Sequence, residues 1–170
     1  MILHGKTITF RPWKKSGIPS LVKHANNPNV ARNLRNVFPH PYTQSDAEEW
    51  LALCHSMDNR RLAIELEGEA IGGTGGQFKE DVHYRTFEIG YWLGEAFWDN
   101  GLISEAVNLI CDHLFNQTDC LRIEAHVSAT NPASARVLIK NGFQLEGTLR
   151  NGVFKNGEIT DILMHSKIRL

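Results

Sequence analysis

The feature that most constrains this chain is a strand that runs directly into a glycine-bearing loop and then into a helix. Residues 87–93 (Phe-Glu-Ile-Gly-Tyr-Trp-Leu) alternate as a strand does, which places Glu88 and Trp92 on one face with a glycine between them. Residues 94–101 follow as a loop, and the apolar stripe of a helix continues through Ala106. A helix that begins close to the end of a strand is typical of α/β chains.

Residues 62–76 are predicted to form a β-hairpin with an unusually bare second strand. Residues 62–66 and 70–76 carry the strand patterns, and Gly68 lies in the turn between them. The run Gly-Gly-Thr-Gly-Gly at 72–76 has almost no side chains to pack. Such a strand indicates a bulge or the close approach of another backbone.

Capping residues mark two further helices. Ser45 and Glu48 form a capping-box pattern. Apolar residues follow it at helical spacing: Ala47, Trp50, Leu51 and Cys54. Asn131, followed by a proline in the first turn, predicts the start of a later helix, and Gly142 predicts its end.

The remaining elements complete the prediction of fold class. We expect strands over 7–11, 121–127, 143–150 and 158–166, a short helix over 18–26, and an Asn-Gly hairpin turn at 156–157. The order is then β-α-α-β-β-β-α-β-α-β-β, which predicts an α/β chain with one mixed sheet and helices on both faces. No repeat or linker interrupts it, so we expect a single domain over 1–170.

Charge and composition exclude several classes of function. The 170 residues are 42% hydrophobic and 22% charged, which is ordinary for a globular protein and excludes a disordered or fibrous chain. Lysine and arginine number 18 against 19 acidic residues, so the net charge is −1. A general nucleic-acid binder needs a basic face, so direct nucleic-acid binding is not expected.

Cysteine and histidine usage bears on compartment and metals. Cys54, Cys111 and Cys120 are odd in number and widely spaced, with no Cys-x-x-Cys pair, which favours a reducing cytoplasm over a disulfide scaffold. The start of the chain has no signal-peptide pattern, and no run approaches the ~20 apolar residues of a membrane span. We therefore expect a soluble, cytoplasmic protein. The eight histidines form no metal-binding pattern, so no metal is expected.

The loop before the helix is a candidate anion site. The first amides of a helix point outward and carry about half a positive charge. Gly101 removes the side chain that would keep a pyrophosphate from reaching them. The complete phosphate-loop and dinucleotide fingerprints are both missing from the sequence, so those two nucleotide-binding classes are disfavoured.

Several segments together resemble one known family. Residues 91–94 (Tyr-Trp-Leu-Gly), 97–106 (Phe-Trp-Asp-Asn-Gly-Leu-Ile-Ser-Glu-Ala), 131–134 (Asn-Pro-Ala-Ser) and 140–143 (Lys-Asn-Gly-Phe) resemble the GNAT superfamily of acetyl-CoA-dependent N-acetyltransferases. Residues 39–42 (Pro-His-Pro-Tyr), 46–47 (Asp-Ala) and 161–164 (Asp-Ile-Leu-Met) are similar to its RimJ/RimL branch, which includes the ribosomal-protein N-terminal acetyltransferases. The resemblance covers nearly the whole chain. It implies a GNAT fold, a mostly antiparallel sheet that is splayed at its centre.

The resemblance also implies acetyl-CoA as cosubstrate and assigns residues to it. One loop would wrap the pyrophosphate with backbone amides: Trp98, Asp99, Asn100, Gly101, Leu102 and Ile103. Ile103 departs from the usual Gly or Ala, which predicts a tighter loop wall. Strands 88–93 and 122–127 would part to admit the pantetheine arm. Backbone groups at Trp92 and Leu93 would pair with that arm, and an amide there would serve as an oxyanion hole.

The later helix supplies further candidates by the same resemblance. Asn131 would contact the pantetheine arm besides capping the helix, and Lys140 would contact a CoA phosphate. The hydroxyl of Ser134, in the first turn, would reach the departing sulfur. Glu88 is our first candidate for the general base, and His126 on the neighbouring strand is the second. Some relatives carry a Glu where this chain has Val153, so that base cannot be carried over.

Several acceptors remain open at this point. The branch favours a protein N-terminal α-amine, whose pKa of about 7.8 leaves it partly neutral, whereas neutralising a lysine amine costs roughly 3.4 kcal/mol more. A polyamine or other small amine is the alternative and would require clustered carboxylates. Asp46, Glu48 and Glu49 share one helix, and we interpret them as its solvated face.

Two questions of mechanism and class also remain. None of the cysteines lies in a motif for an activated thiolate, so direct attack in a ternary complex is expected. From another class, a non-catalytic CoA-binding sensor module would share the same loop and strand, and turnover would distinguish it. A homodimer is common among similar proteins.

Overall fold

The computed structural model describes residues 1–56 and 60–170. In chain order, its elements are β1 (Leu3–His4), β2 (Thr9–Pro12), α1 (Ile18–Ala25), α2 (Pro28–Ala31), α3 (Gln44–Ser56), β3 (Arg61–Leu66), β4 (Glu69–Phe78), β5 (Thr86–Leu93), α4 (Leu102–Gln117), β6 (Arg122–Ser128), α5 (Pro132–Lys140), β7 (Gln144–Lys155) and β8 (Glu158–Ile168). Within the described ranges, no helix has the length and apolar character that a membrane crossing requires.

The eight strands form one sheet in the order β1-β2-β3-β4-β5-β6-β8-β7. Strands β1 to β4 pair antiparallel in sequence, as do β6 with β8 and β8 with β7, whereas β5 and β6 are parallel. The prediction of an α/β chain with a single, mostly antiparallel sheet is confirmed. The parallel pairing runs from Thr86 and Arg122 to Glu88 and Glu124, so it stops before either strand ends.

The chain divides into two compact units. The first comprises Met1–Gly75 with Tyr91–Ala106, and the second comprises Gly76–Gly90 with Val107–Leu170. Strands β4 and β5 and helix α4 contribute residues to both. A single functional domain over 1–170 stays a prediction.

A buried cluster forms the core of the first unit, where α1 packs against α3. Its members are Trp13, Leu21, Ala25, Tyr42, Ala47, Leu51, Cys54, Ala63 and Ala70. Three of the four residues that the helical spacing of α3 picked out belong to it, and the fourth, Trp50, packs against it in a partly buried position. The apolar stripe therefore faces the core as expected.

In the second unit, α5 contacts β6, β7 and β8. The side chains of β6 alternate: Ile123, Ala125 and Val127 are buried apolar residues, and Glu124 and His126 lie on the opposite face. Glu124 is nevertheless only 6% exposed. A buried carboxylate requires charged or hydrogen-bonding partners, and Lys79 and Arg122 supply them to Glu124.

The capping box of α3 lies two residues earlier than predicted. Thr43 rather than Ser45 caps the helix: the Thr43 amide and hydroxyl both donate to Oδ2 of Asp46, each at 2.6 Å, and the Asp46 amide returns a bond to Thr43 Oγ1 at 3.3 Å. The prediction of Ser45 with Glu48 was therefore wrong. Both pairs have the same spacing, and an acidic residue is present three positions after each, so the pattern alone cannot choose between them.

The other turn and cap predictions are confirmed. Asn131 accepts the Ser134 amide at 3.2 Å and begins α5. Gly142, with φ +81°, follows the end of that helix. Asn156 and Gly157 both have positive φ, as a tight hairpin turn between β7 and β8 requires. The short elements β1 and α2 were not predicted, because two to four residues carry too little periodicity to detect.

The glycine run of β4 reflects the close approach of β5. In the first unit, a Cβ added to Gly72 would lie 2.4 Å from the carbonyl oxygen of Trp92. In the second unit, a Cβ added to Gly76 would lie 2.3 Å from the carbonyl oxygen of Glu88. Neither position can hold a side chain without displacing backbone. The predicted approach of another backbone is confirmed.

Candidate active site

The loop before α4 is held in a fixed shape within the first unit. The indole Nε1 of Trp98 donates to the Leu93 carbonyl at 2.8 Å, so the loop is tied to the end of β5. Asp99 and Gly101 both have positive φ, at +60° and +77°. The Glu105 amide donates to the Gly101 carbonyl at 3.0 Å, which makes the first turn of α4 start at the glycine.

Gly101 fits a group that contacts main-chain amides. A Cβ added there would meet no atom within 4 Å among the described residues, so the space beside the glycine is open. The Leu102 side chain, by contrast, is buried, and this residue can offer only its backbone. Ile103 is partly buried. An open cradle at a helix amino terminus, with its apolar side chains turned inward, suits a phosphate-bearing ligand.

Helices α1 and α2 brace the turn that precedes this loop. The side-chain amides of Asn27 and Asn29 donate to the two carboxylate oxygens of Glu95, at 2.6 and 2.8 Å. The ring of His24 lies edge-on to Phe97 with centroids 5.1 Å apart. Sequence reasoning missed these residues, because they are distant along the chain and carry no motif. They set where the loop begins.

Glu105 joins the first turn of α4 to the start of the chain. Its Oε1 accepts the backbone amides of Thr7 at 2.7 Å and Ile8 at 3.2 Å. Partial burial by itself raises the pKa of Glu105, but these amide hydrogen bonds outweigh it and hold the pKa below its usual value. The carboxylate therefore has a structural role, and it also suits the positive end of the helix dipole.

Trp92 has an aromatic neighbour that the sequence did not indicate. The ring of Phe38 lies 5.4 Å from the Trp92 ring in an edge-to-face arrangement and 5.0 Å from Tyr42. Phe38 and Tyr42 flank the Pro-His-Pro segment between α2 and α3. Phe38, which precedes this segment, therefore packs against the Trp92 side chain of β5.

Helix α5 carries three predicted residues at two different places. Asn131 and Ser134 share the first turn and are joined by the 3.2 Å cap bond. Lys140 is the last, exposed residue of the helix, about 9 Å along its axis from Ser134 at the standard rise per residue. Two of the three are thus brought together, and Lys140 lies apart from them.

Glu88 and His126, predicted separately, lie next to each other in the second unit. Nδ1 of His126 is 3.7 Å from Oε1 of Glu88. The side chain of His126 is 29% exposed and that of Glu88 is 40% exposed, so solvent reaches both groups. This separation is within ion-pair range but longer than a hydrogen bond.

A charged network lies beside this pair. Oε1 of Glu124 accepts Arg122 Nε at 2.7 Å, and Oε2 is bound by Lys79. Burial by itself raises the pKa of Glu124, but the bonds from the two cations lower it overall. Arg122 also binds Glu146, and this bond, with one from Ser166, lowers the pKa of Glu146 to about 2. The lowered pKa values of Glu124 and Glu146 and the raised pKa of Arg122 keep these three groups charged at neutral pH.

The three cysteines are free and buried. Burial raises the pKa of the Cys54 and Cys111 thiols to about 12 and raises that of Cys120 as well. A thiol of this kind is protonated at neutral pH and is a weak nucleophile.

The acidic residues of α3 are largely committed to the helix itself. Asp46 is held in the cap by Thr43, and these hydrogen bonds lower its pKa. Glu48 accepts the side-chain amide of Gln44 at 2.8 Å. Glu49 is exposed. The interpretation as a solvated helix face therefore agrees with the contacts that Asp46 and Glu48 make.

Comparison with known proteins gives a consistent result. Residues 7–144 match the family model described as "Acetyltransferase (GNAT) domain". The uncharacterized N-acetyltransferase p20 of Bacillus licheniformis is 29% identical over 173 residues, which cover 98% of this chain and 96% of that protein.

Two solved structures share the fold. RimL, a ribosomal L7/L12 α-N-protein acetyltransferase in complex with coenzyme A, superposes with a TM-score of 0.88 at 22% identity, covering 99% of this chain and 98% of that one. Spermidine N-acetyltransferase from Vibrio cholerae, in complex with CoA and spermine, gives 0.79 at 23% identity and covers 96% of each chain.

Proposed function

This chain belongs to the GNAT acetyltransferase family, and we propose that it transfers an acetyl group from acetyl-CoA to the α-amine of a protein amino terminus. It is an N-acetyltransferase by family. The acceptor is the part proposed here. The similarity of fold to a ribosomal-protein acetyltransferase supports a RimJ/RimL-type substrate.

The observation that carries the acetyl-CoA part of the proposal is the open cradle at Gly101. The glycine leaves space at the start of α4, while Trp98 ties the loop to β5. In this proposal the amides of residues 98–103 bind the pyrophosphate, and backbone groups at Trp92 and Leu93 hold the pantetheine arm. The Leu93 carbonyl already accepts the Trp98 indole. The amides at 92 and 93 are therefore the groups assigned to the arm and to the oxyanion hole.

On α5, we assign the side chain of Asn131, which also caps the helix, to the pantetheine arm. We assign the Ser134 hydroxyl to the sulfur. Acetyl-CoA supplies the acetyl group as a thioester. Ser134 Oγ would place a proton near the sulfur as negative charge develops there. Lys140 lies at the other end of the helix and is proposed as a contact to a terminal phosphate only.

Direct attack by the amine is preferred over an acyl-enzyme. An acyl-enzyme would require an activated thiolate, and burial raises the pKa of all three thiols, to about 12 for Cys54 and Cys111. The proton of the amine must instead pass to a base that solvent and substrate can reach. Glu88 and His126 are the candidates, and they lie 3.7 Å apart.

A polyamine is the second candidate acceptor. It is favoured by the similarity of fold to a spermidine N-acetyltransferase. A polyamine carries several positive charges and would require a group of carboxylates free to bind them. On α3, Asp46 holds the cap and Glu48 holds Gln44, so those carboxylates already have hydrogen-bond partners. The α-amine therefore remains our preferred acceptor.

Compartment and oligomeric state are also left to inference. Three buried, free thiols suit a reducing compartment, so we place the protein in the cytoplasm. The homodimer that is common among similar proteins stays a prediction.

The experiment is a turnover assay with product identification. Purified protein, acetyl-CoA and a short synthetic peptide with a free α-amine should give a peptide heavier by one acetyl group, whose fragment masses place that group on the α-nitrogen. Pretreating the folded protein with iodoacetamide at pH 7.5 should leave the rate unchanged. Tight CoA binding without acetylation of any amine would support the sensor-module alternative instead.

A further inference from the structure

Glu88 and His126 face each other at the end of the pairing between β5 and β6. The parallel pairing of β5 with β6 ends at Glu88 and Glu124, and paired residues point to the same face of the sheet. His126 is two residues beyond Glu124 and therefore shares that face. Its Nδ1 lies 3.7 Å from Glu88 Oε1. A carboxylate and an imidazole thus meet where the two strands stop pairing.

Glu124, a second carboxylate on this face, already has two cationic partners. Arg122 donates to one of its oxygens and Lys79 binds the other. Arg122 in turn is bound by Glu146. Two cations, Lys79 and Arg122, and two carboxylates, Glu124 and Glu146, thus alternate along a chain of ion pairs. Glu88 lies outside this set and faces the imidazole.

We propose that His126 accepts the proton of the acceptor amine through Nε2, and that Glu88 is the positioning residue that orients the ring. This inference rests on the proposed N-acetyltransferase function and deepens it. Glu88 faces Nδ1, so Nε2 on the other edge of the ring points away from the carboxylate. A carboxylate acceptor at Nδ1 fixes the proton there and leaves the lone pair on Nε2.

An imidazole is in general a better base than a carboxylate for proton transfer near neutral pH. Side chains of the histidine type change protonation between pH 5 and 8, where a base is most efficient, and carboxylates do so at lower pH. The 3.7 Å separation is longer than a hydrogen bond, which is common for catalytic contacts before the substrate binds. Both side chains are partly exposed, so an amine can reach them.

The proton balance of the reaction is complete with this pair. The substrate enters as an ammonium ion and gives one proton to Nε2, and Glu88 stabilises the resulting imidazolium. The freed lone pair forms the new C–N bond as the C–S bond breaks. The second nitrogen proton leaves with the sulfur as a thiol, and His126 returns its proton to water. No other reactant is needed.

The test is a double-mutant cycle read as pH–rate profiles. Wild type, His126→Gln, Glu88→Gln and the double variant are compared on one peptide with a free α-amine, with thermal melts confirming that each is folded. We expect His126→Gln to lower kcat/KM about 100-fold at pH 6.5 and to recover as pH rises above about 8, where the amine arrives neutral. Glu88→Gln should cost about 10-fold, and the double variant no more than His126→Gln alone.

A matched control removes a carboxylate from the neighbouring network. Glu146→Gln deletes an acid that binds Arg122 and Ser166, and its pH profile should follow that of the wild type within about threefold. If kcat/KM of Glu146→Gln differs from the wild type by the same factor at every pH, the substitution has a structural effect only.

Each other outcome overturns the pair. Losses that multiply in the double variant would mean that the two groups act independently. A large loss in Glu88→Gln with little in His126→Gln would make Glu88 the base. Parallel profiles for His126→Gln and wild type would remove His126 from the proton transfer. If the wild type acetylates no amine at all, the proposed function fails first, and the pair fails with it.

Discussion

The indole of Trp98 donates a 2.8 Å hydrogen bond to the main-chain carbonyl of Leu93. This bond joins the candidate pyrophosphate loop to the end of β5, whose backbone is assigned to the pantetheine arm. Two parts of the proposed acetyl-CoA site therefore depend on one side chain. The sequence predicted that Trp98 contacts the pyrophosphate through its backbone alone. In the structure its side chain also ties the loop to β5.

Replacing this tryptophan should weaken acetyl-CoA binding without unfolding the protein. Trp98→Phe keeps an aromatic ring but removes the donor, which is worth about 0.5–1.5 kcal/mol. We expect KM for acetyl-CoA to rise about 3- to 10-fold with kcat little changed. Steady-state kinetics measure this. Trp50→Phe, which alters a ring packed near Arg61, is the control and should leave KM unchanged.

Substitutions at Gly101 can separate backbone strain from blocked binding. Its φ of +77° makes any side chain costly there, by roughly 1–2 kcal/mol. Gly101→Ala and Gly101→Glu should therefore lose similar unfolding free energy. Only Gly101→Glu brings a negative charge and bulk to the open cradle, so calorimetry should show CoA binding lost in that variant. If Gly101→Glu binds CoA as well as Gly101→Ala does, the loop does not hold the pyrophosphate.

Glu105 should make stability depend on pH. Its pKa in the folded protein lies below 4.5, so its contribution is complete above pH 4.5 and is lost as pH falls through the folded value. Relative to Glu105→Gln, the wild type should be more stable by about 1 kcal/mol at pH 7. Urea unfolding should show this difference shrink towards pH 3. Glu49→Gln, which changes an exposed acid of α3, is the control, and its unfolding free energy should stay close to that of the wild type across the series. A difference between wild type and Glu105→Gln that stays constant with pH would refute the charge argument.

The Ser134 hydroxyl should matter to the rate more than to binding. Ser134→Ala keeps the backbone amide that Asn131 caps, so the cap bond of α5 should be kept. A partner for charge that develops on sulfur acts mainly in the transition state. We expect kcat to fall about 3- to 10-fold with little change in KM for acetyl-CoA. An unchanged kcat, with chemistry shown to limit the rate, would remove Ser134 from the mechanism.

The fold could be predicted from the sequence wherever local patterns are strong. The alternation in β5, the cap at Asn131 and the Asn-Gly turn at 156 and 157 each depend on a few neighbouring residues, and each is confirmed. The cap of α3 failed because Thr43 and Ser45 offer the same local chemistry. Only the packing of the helix decides which hydroxyl faces the free amides.

The site was predictable in its backbone parts and much less so in its side-chain contacts. Gly101 could be identified because a glycine before a helix leaves the first helical amides open to an anion. The Glu88–His126 pair, the Lys79–Glu124 pair and the asparagines that hold Glu95 join residues 38 to 68 positions apart. Such contacts depend on strand register and on tertiary packing, which one sequence without relatives does not reveal.

Competition in a single reaction shows directly whether the acceptor is a protein α-amine. The enzyme receives acetyl-CoA and equal concentrations of three amines: a peptide with a free α-amine, the same peptide amino-terminally blocked and carrying one lysine, and spermidine. Mass spectrometry then measures the acetylated fraction of each at early time. We expect the free α-amine peptide to accumulate at least 10-fold more product than either of the other two amines. Preferential acetylation of spermidine or of the lysine would contradict it.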